Sequence, residues 1–143
     1  MEVQISDARI LDKQMIEKAD VVIADLPCSG LGIMGRKNDI KYHVTEESLK
    51  ELASLQREIL KCAVQYVKPG GILLYSTCTI NPQENEKNYQ WIIENFDYSP
   101  VDLTKELPKN LTIDTAKDGY IQLLPGIHPC DGFFVGKLRR KSR

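Results

Sequence analysis

The chain has 143 residues, of which 42% are apolar and 27% charged, which suits one soluble globular domain with a sizeable core. A formal net charge of −1 excludes a global field directed at nucleic acid, so any polyanion contact has to be local. No apolar stretch approaches the roughly 20 residues of a membrane span, and no basic-then-apolar leader opens the chain, so the expected compartment is the cytosol, where cysteines stay reduced.

In chain order, "VQIS" (3–6) alternates like a short strand, and "LDKQMIEK" (11–18) suits a short helix. "DVVIADLP" (20–27) is a nearly continuous apolar run stopped by proline, the pattern of a strand buried on both faces. "LGIMGRKNDIKYH" (31–43) has no period and two glycines, and reads as a loop. A long helix follows: Thr45 is a good N-cap, Glu46 and Glu47 put negative charge on the first turn, and Leu49, Leu52, Ile59, Ala63 and Val67 trace an apolar face. "KPGG" (68–71) ends it, and "ILLYST" (72–77) is a second buried strand.

"NPQENEKNYQWIIENF" (81–96) opens with an Asn cap and a proline suited to the first helical position, and Tyr89, Ile92, Ile93 and Phe96 form its inward stripe. "YSPVDL" (98–103) reads as a third buried strand and 104–117 as loop. "YIQLLP" (120–125) and "GFFVGKL" (132–138) flank a Gly/Pro/Asp turn and predict an antiparallel hairpin. Alternating strands and helices with a terminal hairpin indicate an α/β layered sheet. "KLRRKSR" (137–143), with five Lys/Arg, is either a solvated tail or an RNA-backbone contact.

Cys28, Cys62, Cys78 and Cys130 include no C-x-x-C pair, which leaves a zinc site without support. Cys62, inside the apolar half of a helix, reads as packing. The other signals converge on strand ends, where open α/β sheets bind ligands. One strand ends in Asp25-Leu26-Pro27-Cys28-Ser29-Gly30, the other in Ser76-Thr77-Cys78-Thr79. If the two strands are neighbours, a carboxylate and two thiols share one rim. Packing for the cysteines and turn capping for Asp25 are the plain alternatives. Spacing does not say which thiol would be a nucleophile.

Taken together, "ADLPCSGLG" (24–32), "DIKY" (39–42), "LQREIL" (55–60), "KPGGILLYSTCTINPQENE" (68–86) and "DGFF" (131–134) resemble, in order, the Fmu/Sun family of RNA cytosine-5 methyltransferases. Within it, the resemblance is greatest to the C-terminal catalytic part of the enzymes for bacterial small-subunit (16S) ribosomal RNA. Leu26 and Tyr42 stand where the family usually has Ala and Trp. The fold that the resemblance implies is α/β, the C-terminal part of a Rossmann-like S-adenosylmethionine-dependent methyltransferase sheet with a terminal hairpin.

The resemblance implies that Cys78 attacks the cytosine ring, that Cys28 assists loss of the C5 proton and product release, and that Asp25 hydrogen-bonds the base. It places Asp7, Asp25 and Pro27 at the S-adenosylmethionine site, with Asp7 by the adenine. Ribosomal RNA is the implied partner, with Arg36, Lys37 and Lys41 as candidate phosphate contacts. Residues 1–143 are expected to be a single partial catalytic domain: the glycine-rich cofactor turn, the first strands and an N-terminal RNA-binding domain are not in this sequence. Such a fragment is expected to be inactive alone. Its "VVIADL" strand would then have a bare edge, covered by a second copy or by "VQIS". A thiol–disulfide protein and a non-catalytic RNA-binding module are the competing functions.

Overall fold

The computed structural model describes residues 3–36 and 44–142; Lys37, Lys41 and the "DIKY" motif lie outside them. Among the described residues, five strands form one mixed sheet. Strand β1 (Ala19–Asp25) runs parallel to β2 (Val67–Thr77), with Val21 opposite Ile72 and Asp25 opposite Ser76. Strand β5 (Phe133–Arg140) is antiparallel to β2, from Arg139 against Ile72 to Phe134 against Thr77. Its other flank carries β3 (Tyr98–Pro100) near its end and β4 (Tyr120–Leu123) near its start, both antiparallel. The order is therefore β1-β2-β5-β3, with β4 beside β5.

This topology creates the rim. Because β1 and β2 are parallel, both carboxyl ends, with Asp25-to-Cys28 and Ser76-to-Cys78, emerge together. Because β5 is reversed, its amino end, next to Gly132, arrives at the same edge.

Helix α1 (Glu46–Tyr66) starts where expected: Thr45 and Ser48 form a reciprocal capping box, each side chain accepting from the other's backbone N–H. Leu60, Ala63 and Val64 pack into one core with Val67, Leu73 and Tyr75 of β2. Helix α2 (Glu86–Asn95) adds Tyr89 and Ile92, which meet Phe134 and Leu138 of β5 and Tyr98 of β3. Fully burying a side chain of this size contributes roughly 1.5–3 kcal/mol.

Both helices pack against this shared core, so the strands alternate rather than being buried on both faces as expected. Leu73 and Tyr75 are fully buried, but Val21 and Ile23 are 52% and 70% exposed. On the opposite face, Val21, Ile72, Leu74, Leu103, Ile121 and Val135 line an open apolar cavity of about 550 Å³. The far flank of β1 pairs with no strand among the described residues. "VQIS" is not a strand, since it has no ladder partner to satisfy its backbone.

Other elements are shorter than expected. Residues 11–18 hold only a 3-10 turn (Lys13–Met15), capped by Asp12 and closed by Glu17 at φ 56. Only three residues of 98–103 are strand, where β5 offers pairing. Helix α2 begins at Glu86 rather than at Pro82; the side chains of Asn81, Glu84 and Asn85 before it are engaged in tertiary hydrogen bonds. Through Arg140 the basic tail is engaged by the fold, although Arg139 stays exposed. Lys137 pairs with Glu106, Arg139 donates to the Gly70 carbonyl, and Arg140 donates to the Val67 carbonyl and Glu17.

Candidate active site

Beyond Asp25 the chain keeps contact with β2 for one more residue, Leu26 N–H donating to the Ser76 carbonyl at 3.2 Å. Gly30, at φ 71 in the left-handed region that suits glycine, then reverses the chain into a 3-10 turn (Leu31–Ile33). The reversal carries Gly32 beneath the end of β2, where its N–H donates to the Cys78 carbonyl at 3.1 Å. Gly132 N–H donates in turn to the Gly32 carbonyl at 2.8 Å. Three loops thus stack backbone on backbone. A Cβ on Gly32 would collide with the Gly132 carbonyl oxygen and sit 2.8 Å from that of Cys78.

On this base the two expected thiols meet: Cys28 Sγ lies 3.3 Å from Cys78 Sγ, both half-buried. Burial, and then the hydrogen bond with Cys78, push the Cys28 thiol up to about 12. Cys28 therefore keeps its proton at neutral pH. Cys62 is buried, its Sγ directed at the Arg9 carbonyl, as packing requires, and Cys130 is exposed.

Asp25 is exposed at the rim, accepting from Ser76 Oγ at 2.9 Å. It shares with Asp7 a cavity of about 480 Å³ beside β1, walled by Ile10, Leu11, Ala24 and Leu26. Arg9 bonds both Asp7 oxygens and holds that carboxyl at about 2. Pro27 does not line this cavity; its carbonyl accepts from Gln56 Nε2 at 2.9 Å. Arg36 is ion-paired with Asp131 at 2.9 Å, bridging the Gly32 and Gly132 loops, yet its side chain stays 77% exposed.

Beneath the thiols lies a buried polar cluster to which the sequence reading assigned no role. Glu84, Gln56, Asn85 and Asn88 are almost fully buried and hydrogen-bonded. Glu84 accepts from Ser29 N–H, Ser29 Oγ, Gln56 Nε2 and Asn81 Nδ2. Asn85 donates to the Thr79 carbonyl and Gln122, and Asn88 donates to Gln56. A signal for Gln56 was present: at helical spacing it falls on the apolar stripe of Leu52, Ile59 and Ala63.

A sheet of this order, with two adjoining thiols where two parallel strands end, is the C-terminal part of a Rossmann-like methyltransferase sheet. The chain belongs to the family described as 16S rRNA methyltransferase RsmB/F, which matches residues 1–139. Ribosomal RNA small subunit methyltransferase F of Pectobacterium carotovorum is 34% identical over 137 residues, covering 95% of this chain and 28% of that protein. The protein of the same name from Salmonella heidelberg is 36% identical over 141 residues, covering 95% and 29%. Among solved structures, that of PH0851 matches with a TM-score of 0.81 and 33% identity, over 93% of this chain and 29% of that one. NSun6 from Pyrococcus horikoshii, solved with SFG, matches with a TM-score of 0.73 and 25% identity, over 99% and 34%. The chain thus spans less than a third of the curated relatives it matches.

Proposed function

We propose that this chain is the thiol-bearing part of an S-adenosylmethionine-dependent ribosomal RNA methyltransferase that modifies C5 of a cytosine through a covalent adduct with Cys78. The observation that carries this reading is the 3.3 Å approach of Cys28 and Cys78 at the strand-end rim. The names of the relatives support ribosomal RNA as the substrate.

The Cys78 thiolate adds to C6 of the base, forming a C–S bond and moving the ring electrons toward C5. Asp25, at the rim, hydrogen-bonds the base as that charge develops. When bound, S-adenosylmethionine supplies an electrophilic methyl group for C5. The C5 proton then passes to solvent water, a step that Cys28 assists while keeping its own S–H. The electron pair left behind reforms the C5–C6 double bond, and the Cys78 sulfur departs as a thiolate that accepts the Cys28 S–H hydrogen bond. A cytosine can enter this rim only unstacked or from a single-stranded loop. Arg36, with Lys37 and Lys41, meets its phosphates.

The cavity beside β1 fits part of the cofactor: Asp7 and Asp25 offer acceptors for N–H and O–H groups, and Ile10, Leu11 and Leu26 offer apolar walls. SFG in the Pyrococcus structure, an S-adenosylmethionine analogue, supports that cofactor. No glycine-rich turn precedes residue 20, and among the described residues the cavity has no strand beyond β1. This segment alone is therefore expected to be inactive. A calorimetric titration should give no micromolar binding of S-adenosylmethionine, and micromolar binding would overturn that expectation. The basic tail, which a purely RNA-binding module would present, is instead folded into the sheet through Arg140.

The direct test is Cys28→Ala in a full-length enzyme that carries this segment. With release impaired, a protein–RNA adduct should persist on a denaturing gel and vanish when Cys78 is also replaced. Absence of any adduct, with RNA bound normally, counts against the two-thiol reading.

A further inference from the structure

Cys28 is held from both sides by groups outside its own loop. Pro27, before it, gives its carbonyl to Gln56 Nε2 at 2.9 Å. Ser29, after it, gives its N–H to Glu84 Oε2 at 2.9 Å and its hydroxyl to Glu84 Oε1 at 2.6 Å. Gln56 Nε2 itself donates to Glu84 Oε2 at 3.0 Å, so both flanks converge on one carboxylate.

The other thiol is tied to the same group. Ser29 Oγ has one hydrogen, and it is used on Glu84. The 2.8 Å contact between Ser29 Oγ and Thr79 Oγ1 must then run from Thr79 to Ser29. Thr79 directly follows Cys78 and accepts from Asn81 N–H at 3.2 Å. A directed chain of donors therefore leads from Asn81 through Thr79 and Ser29 to Glu84, whose Oε1 also accepts from Asn81 Nδ2 at 2.9 Å. Every partner presents a donor, so all four bonds use the carboxylate as an acceptor.

The carboxylate sits on a fixed base. Its own carbonyl accepts from the buried Tyr75 hydroxyl of β2. Gln56 cannot rotate away, because its Oε1 accepts from Asn88 Nδ2 at 2.9 Å and Asn88 Oδ1 from Arg57 Nε at 2.8 Å.

We propose that Glu84 is a positioning residue: acting through Ser29, Gln56 and Thr79, it sets the separation and orientation of the Cys28 and Cys78 sulfurs. The inference rests on the reading of this pair as the reaction centre, but it is a statement about thiol geometry. Glu84→Gln keeps the shape and turns one acceptor into a donor, which necessarily faces an N–H or O–H already pointing at it.

The test is the rate at which diamide, a two-electron oxidant that takes up both thiol hydrogens, joins Cys28 to Cys78 in the folded chain. It is read by peptide mapping after an alkylating quench. Glu84→Gln should slow that rate by about 100-fold, as expected for reacting atoms displaced by about 1 Å, and Glu84→Asp should restore part of it. Tyr98→Phe is the control. It removes a buried hydroxyl bonded to the Val64 carbonyl at 2.8 Å, remote from the thiols, and should lower the melting temperature without changing the rate. An unchanged rate in folded Glu84→Gln overturns the proposal and leaves Glu84 a stabilising group only. If Glu84→Gln does not unfold cooperatively, Ser29→Ala, which cuts the link between the two loops, takes its place; an unchanged rate there overturns the proposal equally. Because no methyl transfer is read, a full-length enzyme without activity but with this loss of coupling would refute the proposed reaction and keep the positioning role. A trapped RNA adduct with unaffected coupling would do the reverse.

Discussion

Replacing Cys78 by alanine in a full-length enzyme that carries this segment is expected to lower methyl transfer by at least about 10⁴-fold while leaving RNA affinity nearly intact. Cytosine C5 is a poor nucleophile until a group adds at C6, so removing that group removes the activation itself rather than one stabilising contact. The neighbouring sulfur is a poor substitute. Burial, the larger cause, still raises the Cys28 thiol when Cys78 is gone, and its flanks are pinned by Gln56 and Glu84. Affinity should survive because Arg36, a candidate phosphate contact, is held by Asp131 and not by the sulfur. Methylation assays and filter binding on the same preparation separate the two quantities. A variant retaining more than a small fraction of turnover would show that Cys78 is not the nucleophile.

Gly32→Ala is expected to cost about 3 kcal/mol of stability, read as a shift in the urea midpoint. The added carbon would collide with the Gly132 carbonyl oxygen and lie 2.8 Å from the Cys78 carbonyl oxygen. Both are main-chain atoms that cannot swing aside as a flexible side chain would, so relief requires pulling apart the bonds that join Gly32 to Cys78 and Gly132 to Gly32. Gly35→Ala, in the same loop, is the matched control: a Cβ there meets nothing within 4 Å, and its cost should stay within about 0.5 kcal/mol. Equal midpoints for the two variants would refute the stacked-loop account.

The contrast between Gly32 and Gly35 shows what the sequence could and could not convey. Both glycines fall in a stretch without periodicity, and nothing local distinguishes them, because the atoms that exclude a side chain at Gly32 come from residues 78 and 132. Long periodic elements were legible: the Thr45 cap and the stripe of α1 follow from local spacing alone. The meeting of Cys28 and Cys78 was legible as well, given parallel neighbouring strands. Glu84 was not, because "NPQENE" reads as a polar helix entry, and only tertiary burial turns its carboxylate inward. Asp7 is a third case: both of its oxygens are engaged by Arg9, two positions away, a local pairing that the strand-based reading of this segment passed over.

The reversed strand β5 has a consequence for biosynthesis. It lies after every other element in sequence, yet it occupies the middle of the sheet, with Leu138 against Leu73 of β2 and β3 and β4 on its far side. While a ribosome is still making residues 133–140, β2 has no neighbour on that flank, and β3 and β4 have no partner at all. The nascent chain must carry an unfinished sheet, with Tyr75 and Leu73 short of contacts, until the last strand is released and threads between them. Gly132, next to β5 and part of the floor under the thiols, arrives with it. The rim that carries Cys28 and Cys78 therefore gains its floor only at the close of translation of this segment, and the growing chain does not hold the two sulfurs in their final arrangement beforehand.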